Sequence, residues 1–321
     1  MMPTRRSFIG LTLGAAALAA TPLRAATAQI DVVATTGMIA DAAQNVGGDL
    51  ARVTALMGPG VDPHSYRQTR SDIVALTRAD LVLWHGLYLE AQMEELLLKL
   101  AARGNVAAVG EAVPVEQRIA HADYSGKYDP HVWMAPELWT HAVRAVEAAL
   151  IRTAPEHADT FAANAETYLT EINRLHAYAR DAVATVPQDA RVLVTAHDAF
   201  GYFGRAYGFE VMGIQGISTE SEAGLDRIRT LVDMLVSRRI GAVFVESSVS
   251  DRNIRALVEG AAARGHEVRI GGELFSDAMG EPDTYEGTYP GMIDHNVTTI
   301  AGALGGNVPP RGMAGKLSAG I

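Results

Sequence analysis

The chain has 321 residues, 48% of them hydrophobic, and its 27 Lys and Arg against 37 Asp and Glu give a formal charge of −10. That length can bury the cores of two domains, and the absence of any basic block leaves nucleic-acid or anionic-membrane binding without support. There is no cysteine, which excludes disulfides, thiol chemistry and a lipid carried on an N-terminal Cys, so any metal site must use His, Asp, Glu or backbone oxygen.

Arg5 and Arg6 precede an apolar run from Phe8 to Ala20, and small residues follow through Ala26 and Ala28. Residues 1–28 therefore read as a signal peptide cleaved before Gln29, and "TRRSFIG" has the form of a twin-arginine leader, which exports folded protein. The run is shorter than the ~20 residues that a membrane span needs. A soluble, unlipidated protein of the periplasm is expected.

From there strands and helices alternate. "QIDVVATT", "ARVTALMG", "ADLVLWHG" and "NVAAVG" are β-branched or apolar without alternation, as buried parallel strands are. Helices are predicted over "MIADAAQNVGG", over a short segment opened by the capping box of Thr69 and Asp72, over "LEAQMEELLLKLAARG", and from Pro136 to about Arg152. These elements make an N-terminal α/β lobe over 29–152. Between 153 and 188 nothing breaks the helical pattern from Pro155 to about Val186, and Phe161, Tyr168, Leu169, Ile172, Leu175, Tyr178 and Ala179 form a one-sided stripe. About thirty residues at 1.5 Å each would span roughly 45 Å, which reads as a spine joining two lobes. A second α/β lobe over 189–321 repeats the pattern, with strands at "ARVLVTAH", "FEVMGIQG", "IGAVFVES" and "HEVRIGGELF" and a final helix beginning near Asp294. The fold class is thus α/β, two mainly parallel sheets flanked by helices and linked by one long helix.

In open α/β sheets ligands sit beyond the carboxyl ends of the strands. "DPHSY" and "DPHVW" place His64 and His131 in like settings, with Pro63 and Pro130 restricting the backbone before each imidazole. His197 closes a strand, and Asp277 follows another. Two residues come from each half, as a site closed by both lobes requires. Three imidazoles and a carboxylate suit Zn(II), and Mn(II) if the carboxylate binds through both oxygens. Asp62 and Asp129 have two possible roles, an acceptor for the imidazole N–H or a turn acceptor. Tyr66 and Trp133 read as walls, His85 as a weak fifth candidate, and Glu246 as a capping and network residue. Ser247 or Ser248 with His197 and Asp198 could be drawn as a triad, but no G-x-S-x-G elbow exists, and a hydrolase leaves both DPH motifs unexplained. Imidazoles bind only when unprotonated, so affinity is expected to fall steeply below about pH 6.

These motifs, with "VTAHDAFGYFGRAYG", "FVESSVSDRNIRAL" and "GGELFSDAMG", resemble the metal-binding receptors of bacterial manganese and zinc ABC importers, in their TroA-like and ZnuA-like branch. The resemblance runs from Gln29 to the C-terminus. It implies two α/β lobes bridged by a long helix, one Zn(II) or Mn(II) per chain as cargo, and His64, His131, His197 and Asp277 as the four ligands. It implies an integral membrane permease with a cytoplasmic ATPase as partners, and a monomeric receptor that is no enzyme. Manganese-specific relatives often carry Glu at the third position, where this chain has His197. The long His-rich loop of many zinc receptors is absent, with one extra histidine, His121, in the corresponding span. A metal-dependent hydrolase, which would need an open coordination position and a base, and an adhesin, a label that some relatives carry, are the remaining alternatives.

Overall fold

The computed structural model describes residues 29–121, 124–220 and 224–318; the expected signal peptide lies outside them. In the first lobe β1 (Ile30–Ala34), β2 (Ala51–Ala55), β3 (Leu81–Trp84) and β4 (Val106–Ala108) form a parallel sheet in the order β2-β1-β3-β4. Because successive side chains point to opposite faces, Val32, Ala34, Leu81 and Leu83 enter the main core while Val33, Val82 and Trp84 enter a smaller one. Helices cover both faces. α1 (Gly37–Gly47) and α4 (Pro136–Thr153) line the main core, and α2 (Arg70–Arg78) and α3 (Glu94–Ala101) supply Leu76 and Leu97 to the other. Burial on both sides is why these strands lack an alternating pattern.

The spine is α5, Ala158–Ala184, 27 residues. Its buried stripe of Phe161, Ala165, Tyr168, Leu169, Ile172, Leu175 and Ala179 packs on α1 and α4 of the first lobe and on α9 (Tyr289–Ala303) of the second. In the second lobe β5 (Val192–Thr195) pairs in parallel with β6 (Glu210–Gly213), and β7 (Ala242–Glu246) with β8 (Arg269–Leu274). β5 and β7 lie side by side. Leu193, Phe244 and Leu274 face the main core, whereas Val192, Val194 and Val243 face α7 (Leu225–Arg238) and α8 (Arg252–Ala262). α6 (Gly201–Tyr207) follows β5 and ends, as "RAYG" predicts, on left-handed Gly208.

Two elements start elsewhere than the sequence pattern predicts. α3 begins only at Glu94, because Gly86, Leu87 and Tyr88 take left-handed conformations (φ 78°, 54° and 72°). That turn is clamped by buried Glu90, whose carboxylate accepts from His85 N (2.7 Å), Gly86 N (3.2 Å) and the Thr35 hydroxyl (2.6 Å). α9 begins at Tyr289, five residues before the expected start. Thr288 caps it by accepting from Gly291 N at 3.1 Å, and Pro290 occupies its first turn.

Phe161 sits fully buried where the spine meets the first lobe. Phe161→Ala should lower unfolding free energy by about 3–5 kcal/mol in urea denaturation; a loss below ~1 kcal/mol would show that this stripe does not hold the spine in place.

Candidate metal centre

The four sequence candidates sit on four connections, all at carboxyl ends of strands or before helices. His64 lies between β2 and α2, His131 between β4 and α4, His197 between β5 and α6, and Asp277 between β8 and α9. All four are buried, and their potential ligand atoms lie within 4.8 Å of one another. His131 Nε2 is 3.2 Å from His64 Nε2 and 3.3 Å from His197 Nε2. Asp277 Oδ1 is 3.3 Å from His131 Nε2, and Oδ2 is 3.2 Å from His197 Nε2. Among the described residues neither Asp277 oxygen makes a hydrogen bond of good geometry, and the nearest polar neighbours are those ring nitrogens. A carboxylate buried against three converging nitrogens fits a cation as its partner.

Each of the three histidines has its backbone N–H held by a carboxylate, and two of the rings are aimed by one. In "DPH" the Asp side chain accepts the N–H two residues on, a turn that the intervening proline supports. Asp62 Oδ1 accepts from His64 N at 2.9 Å, and Asp129 Oδ1 from His131 N at 2.9 Å. The two motifs then diverge. Asp129 also bonds His131 Nδ1 at 2.7 Å, directing Nε2 inward, whereas the second oxygen of Asp62 accepts from Ser65 Oγ at 2.9 Å. For His197 the corresponding group comes from another strand end. Glu246 accepts from His197 N at 2.9 Å and contacts Nδ1 at 2.5 Å, so it orients a candidate ligand and is not itself in the cluster.

Trp133 is more than a wall. Its indole N–H donates to Ser276 O at 2.8 Å, beside Asp277, and its own carbonyl accepts from Tyr289 OH at 2.8 Å. Tyr66 donates instead to Asp72 at 2.7 Å, bracing the α2 cap. His85 stays outside the cluster. It packs edge-on to Trp133 at 5.0 Å as a core residue, and burial lowers its pKa to about 3.

The same carboxylates set the protonation of the site. Burial alone would depress the His131 imidazole, but Asp129, with help from Asp277, outweighs it and raises the pKa to about 9. Burial is likewise overcome at His197, where Glu246 and Asp277 hold the pKa well above the ordinary value. His64 has no such carboxylate on its ring, and burial lowers it to about 3. Burial would raise Asp277, yet the charge of His197 and its neighbours keeps it well below the usual carboxylate range.

The sequence profile of the family described as zinc-uptake complex component A, periplasmic, matches residues 32–303. The manganese-binding lipoprotein MntA of Bacillus subtilis is 50% identical over 281 residues, 88% of this chain and 92% of that protein. The zinc-binding protein TroA of Treponema pallidum is 47% identical over 273 residues, 85% of this chain and 88% of that one. The solved structure of the periplasmic zinc-binding protein TroA from Treponema pallidum superposes with a TM-score of 0.84, covering 86% of this chain and 99% of that chain. The two-lobed architecture with its long helix is the one expected from the sequence.

One expectation is corrected by the same relatives. A free, unlipidated periplasmic form is expected from the leader and the cysteine-free composition, but the Bacillus subtilis relative and others at 28–29% identity are named lipoproteins. Retention at the membrane by a lipid is therefore the form that the relatives' names support. The 321 residues include no cysteine sulfur on which a thioether-linked lipid could sit.

The protonation pattern also moves the expected pH dependence. An ion bound at these candidate residues would displace protons from His131 and His197, whose pKa values are raised, so affinity is expected to keep rising with pH above pH 6, through about 9 for His131. Calorimetry with zinc at pH 7.5, in buffers of different ionisation heat, should report release of about two protons per ion. Kd should tighten roughly tenfold per pH unit for each proton displaced. Affinity unchanged between pH 6.5 and 8.5 would refute this.

Proposed function

This chain belongs to the family of the periplasmic zinc-uptake complex component A, and from that premise we propose that it captures one zinc or manganese ion between its lobes and delivers it to the permease of an ABC importer driven by a cytoplasmic ATPase. The relatives are binding proteins of transport systems, not enzymes, and membership brings an ABC transport system as partner. His64, His131, His197 and Asp277 are assigned as the ligands. The observation that carries the assignment is the buried Asp277 carboxylate facing the converged histidine nitrogens.

The protein's part is capture without covalent chemistry. A hydrated ion reaching the cleft exchanges its waters for three imidazole nitrogens and the carboxylate, while Asp129 and Glu246 hold two of the rings at the required angle. Both Asp277 oxygens lie toward the cluster, so one or two can bind, which supports four-coordinate zinc and five-coordinate manganese alike. A manganese-named and a zinc-named relative at nearly equal identity support the same breadth. By the ordinary divalent series zinc binds more tightly.

Zinc or manganese at a thousand times Kd should stabilise the full chain by ~4.1 kcal/mol, read as a rise in Tm. Asp277→Ala should remove most of that gain while leaving the ion-free Tm nearly unchanged. A wild-type chain with no metal-dependent rise, or a variant that keeps it, would overturn the reading. A matching loss in the ion-free protein would make Asp277 structural. Metal uptake in a deletion strain tests delivery.

A further inference from the structure

The three imidazoles are not anchored alike. The carboxylates behind His131 and His197 belong to the same lobes as their histidines, Asp129 with His131 and Glu246 with His197. Asp62, behind His64, is shared between the lobes. One oxygen takes the His64 N–H, and the other takes the Ser65 hydroxyl and, at 2.6 Å, the hydroxyl of Thr219 from the loop after β6 of the second lobe. The next residue makes a second crossing: Glu220 accepts from Gln92 Nε2 at 3.0 and 3.1 Å, just ahead of α3 in the first lobe. Gln215 donates to Thr219 O at 3.1 Å and ties the loop to its own strand end.

A polar cavity of about 460 Å³, lined by Asp62, Gln215, Thr219, Ser248, Ser250 and Arg252 among others, lies against this bond. Water there can reach Asp62 once the Thr219 bond opens, while the link between the lobes is lost. The other crossings near the ligands, Trp133 to Ser276, Tyr289 to Trp133 and Tyr202 to the Asp129 carbonyl, are buried.

We infer that Thr219, acting through Asp62, is a positioning residue for His64, and that breaking this one interlobe bond frees His64 as the first ligand to leave when the ion is released. The bond transmits the state of the second lobe to the turn that carries a ligand. Its loss affects departure more than capture, because capture by the other three groups does not depend on it. This rests on the ligand assignment proposed above.

The test is release kinetics of the zinc-loaded full chain, mixed rapidly with excess chromogenic chelator under conditions where the rate no longer depends on chelator concentration. Thr219→Val should release zinc about tenfold faster, the size of one lost hydrogen bond to a charged group. Its association rate should stay within about twofold of wild type and its ion-free Tm should be unchanged. Thr219→Ser, which keeps the hydroxyl, should restore the wild-type rate. Release by Thr219→Val within twofold of wild type overturns the inference, as does a Thr219→Ser variant as fast as the valine one, or a fall in ion-free Tm that accounts for the change. If wild type takes up no zinc, the proposed function fails first. If it loads normally and Thr219→Val behaves like it, only this inference fails.

Discussion

A carboxylate buried deep in the cleft and pressed against three imidazole nitrogens is the constraint that the surrounding structure serves. A buried carboxylate needs partners for its charge, and the ring nitrogens of His131 and His197 lie closest to it. It is kept in place by bonds that do not touch its oxygens. The Trp133 indole holds the backbone before Asp277, and Tyr289, at the start of α9, holds Trp133. The two Asp-Pro-His turns and Glu246 fix the backbone of the three histidines, and Asp129 and Glu246 fix two of the rings. The charge is thus preorganised by neighbours whose own polar groups are satisfied.

The architecture explains why four residues so distant in sequence meet. Parallel sheets present their carboxyl ends on one edge, and two such edges face each other only because α5 fixes the lobes side by side. One hydrophobic core runs from α1 and α4 across α5 to α9 and the inner face of the second lobe. A hinge of loops alone would let the two pairs of loops that carry the candidate residues drift. A buried helix of 27 residues with a continuous apolar stripe makes large excursions expensive, so freedom of movement is left to the polar contacts at the cleft.

Much of this was legible in the residues. Non-alternating apolar strands, the capping box at Thr69 and the unbroken run from Pro155 to about Val186, most of which is α5, are local signals, and each corresponds to an element. The repeated Asp-Pro-His made two histidines conspicuous, and strand ends pointed to His197 and Asp277. What was not legible depends on distant partners. The start of α3 is set by Glu90 turning back to Thr35, 55 residues away, and no periodicity records that. The two Asp-Pro-His motifs look equivalent, yet Asp129 orients a ring while Asp62 reaches across the cleft to Thr219, 157 residues on. Thr219 itself lies in "GISTES", an unremarkable loop. Glu246 could be placed at a strand end, but its bonds to His197 depend on β5 and β7 lying side by side.

The charges of the site favour a class of cargo. Asp129, Glu246 and Asp277 place three carboxyl groups among three imidazoles in a buried cluster. Those carboxyls draw His131 and His197 toward their protonated forms, so a metal cation and protons compete for the same nitrogens. A cation that replaces the protons keeps positive charge opposite the carboxyls, and in surroundings of low polarisability leaving that charge unmatched is expensive. The donor atoms favour borderline metals, so zinc and manganese meet both the charge requirement and the donor requirement.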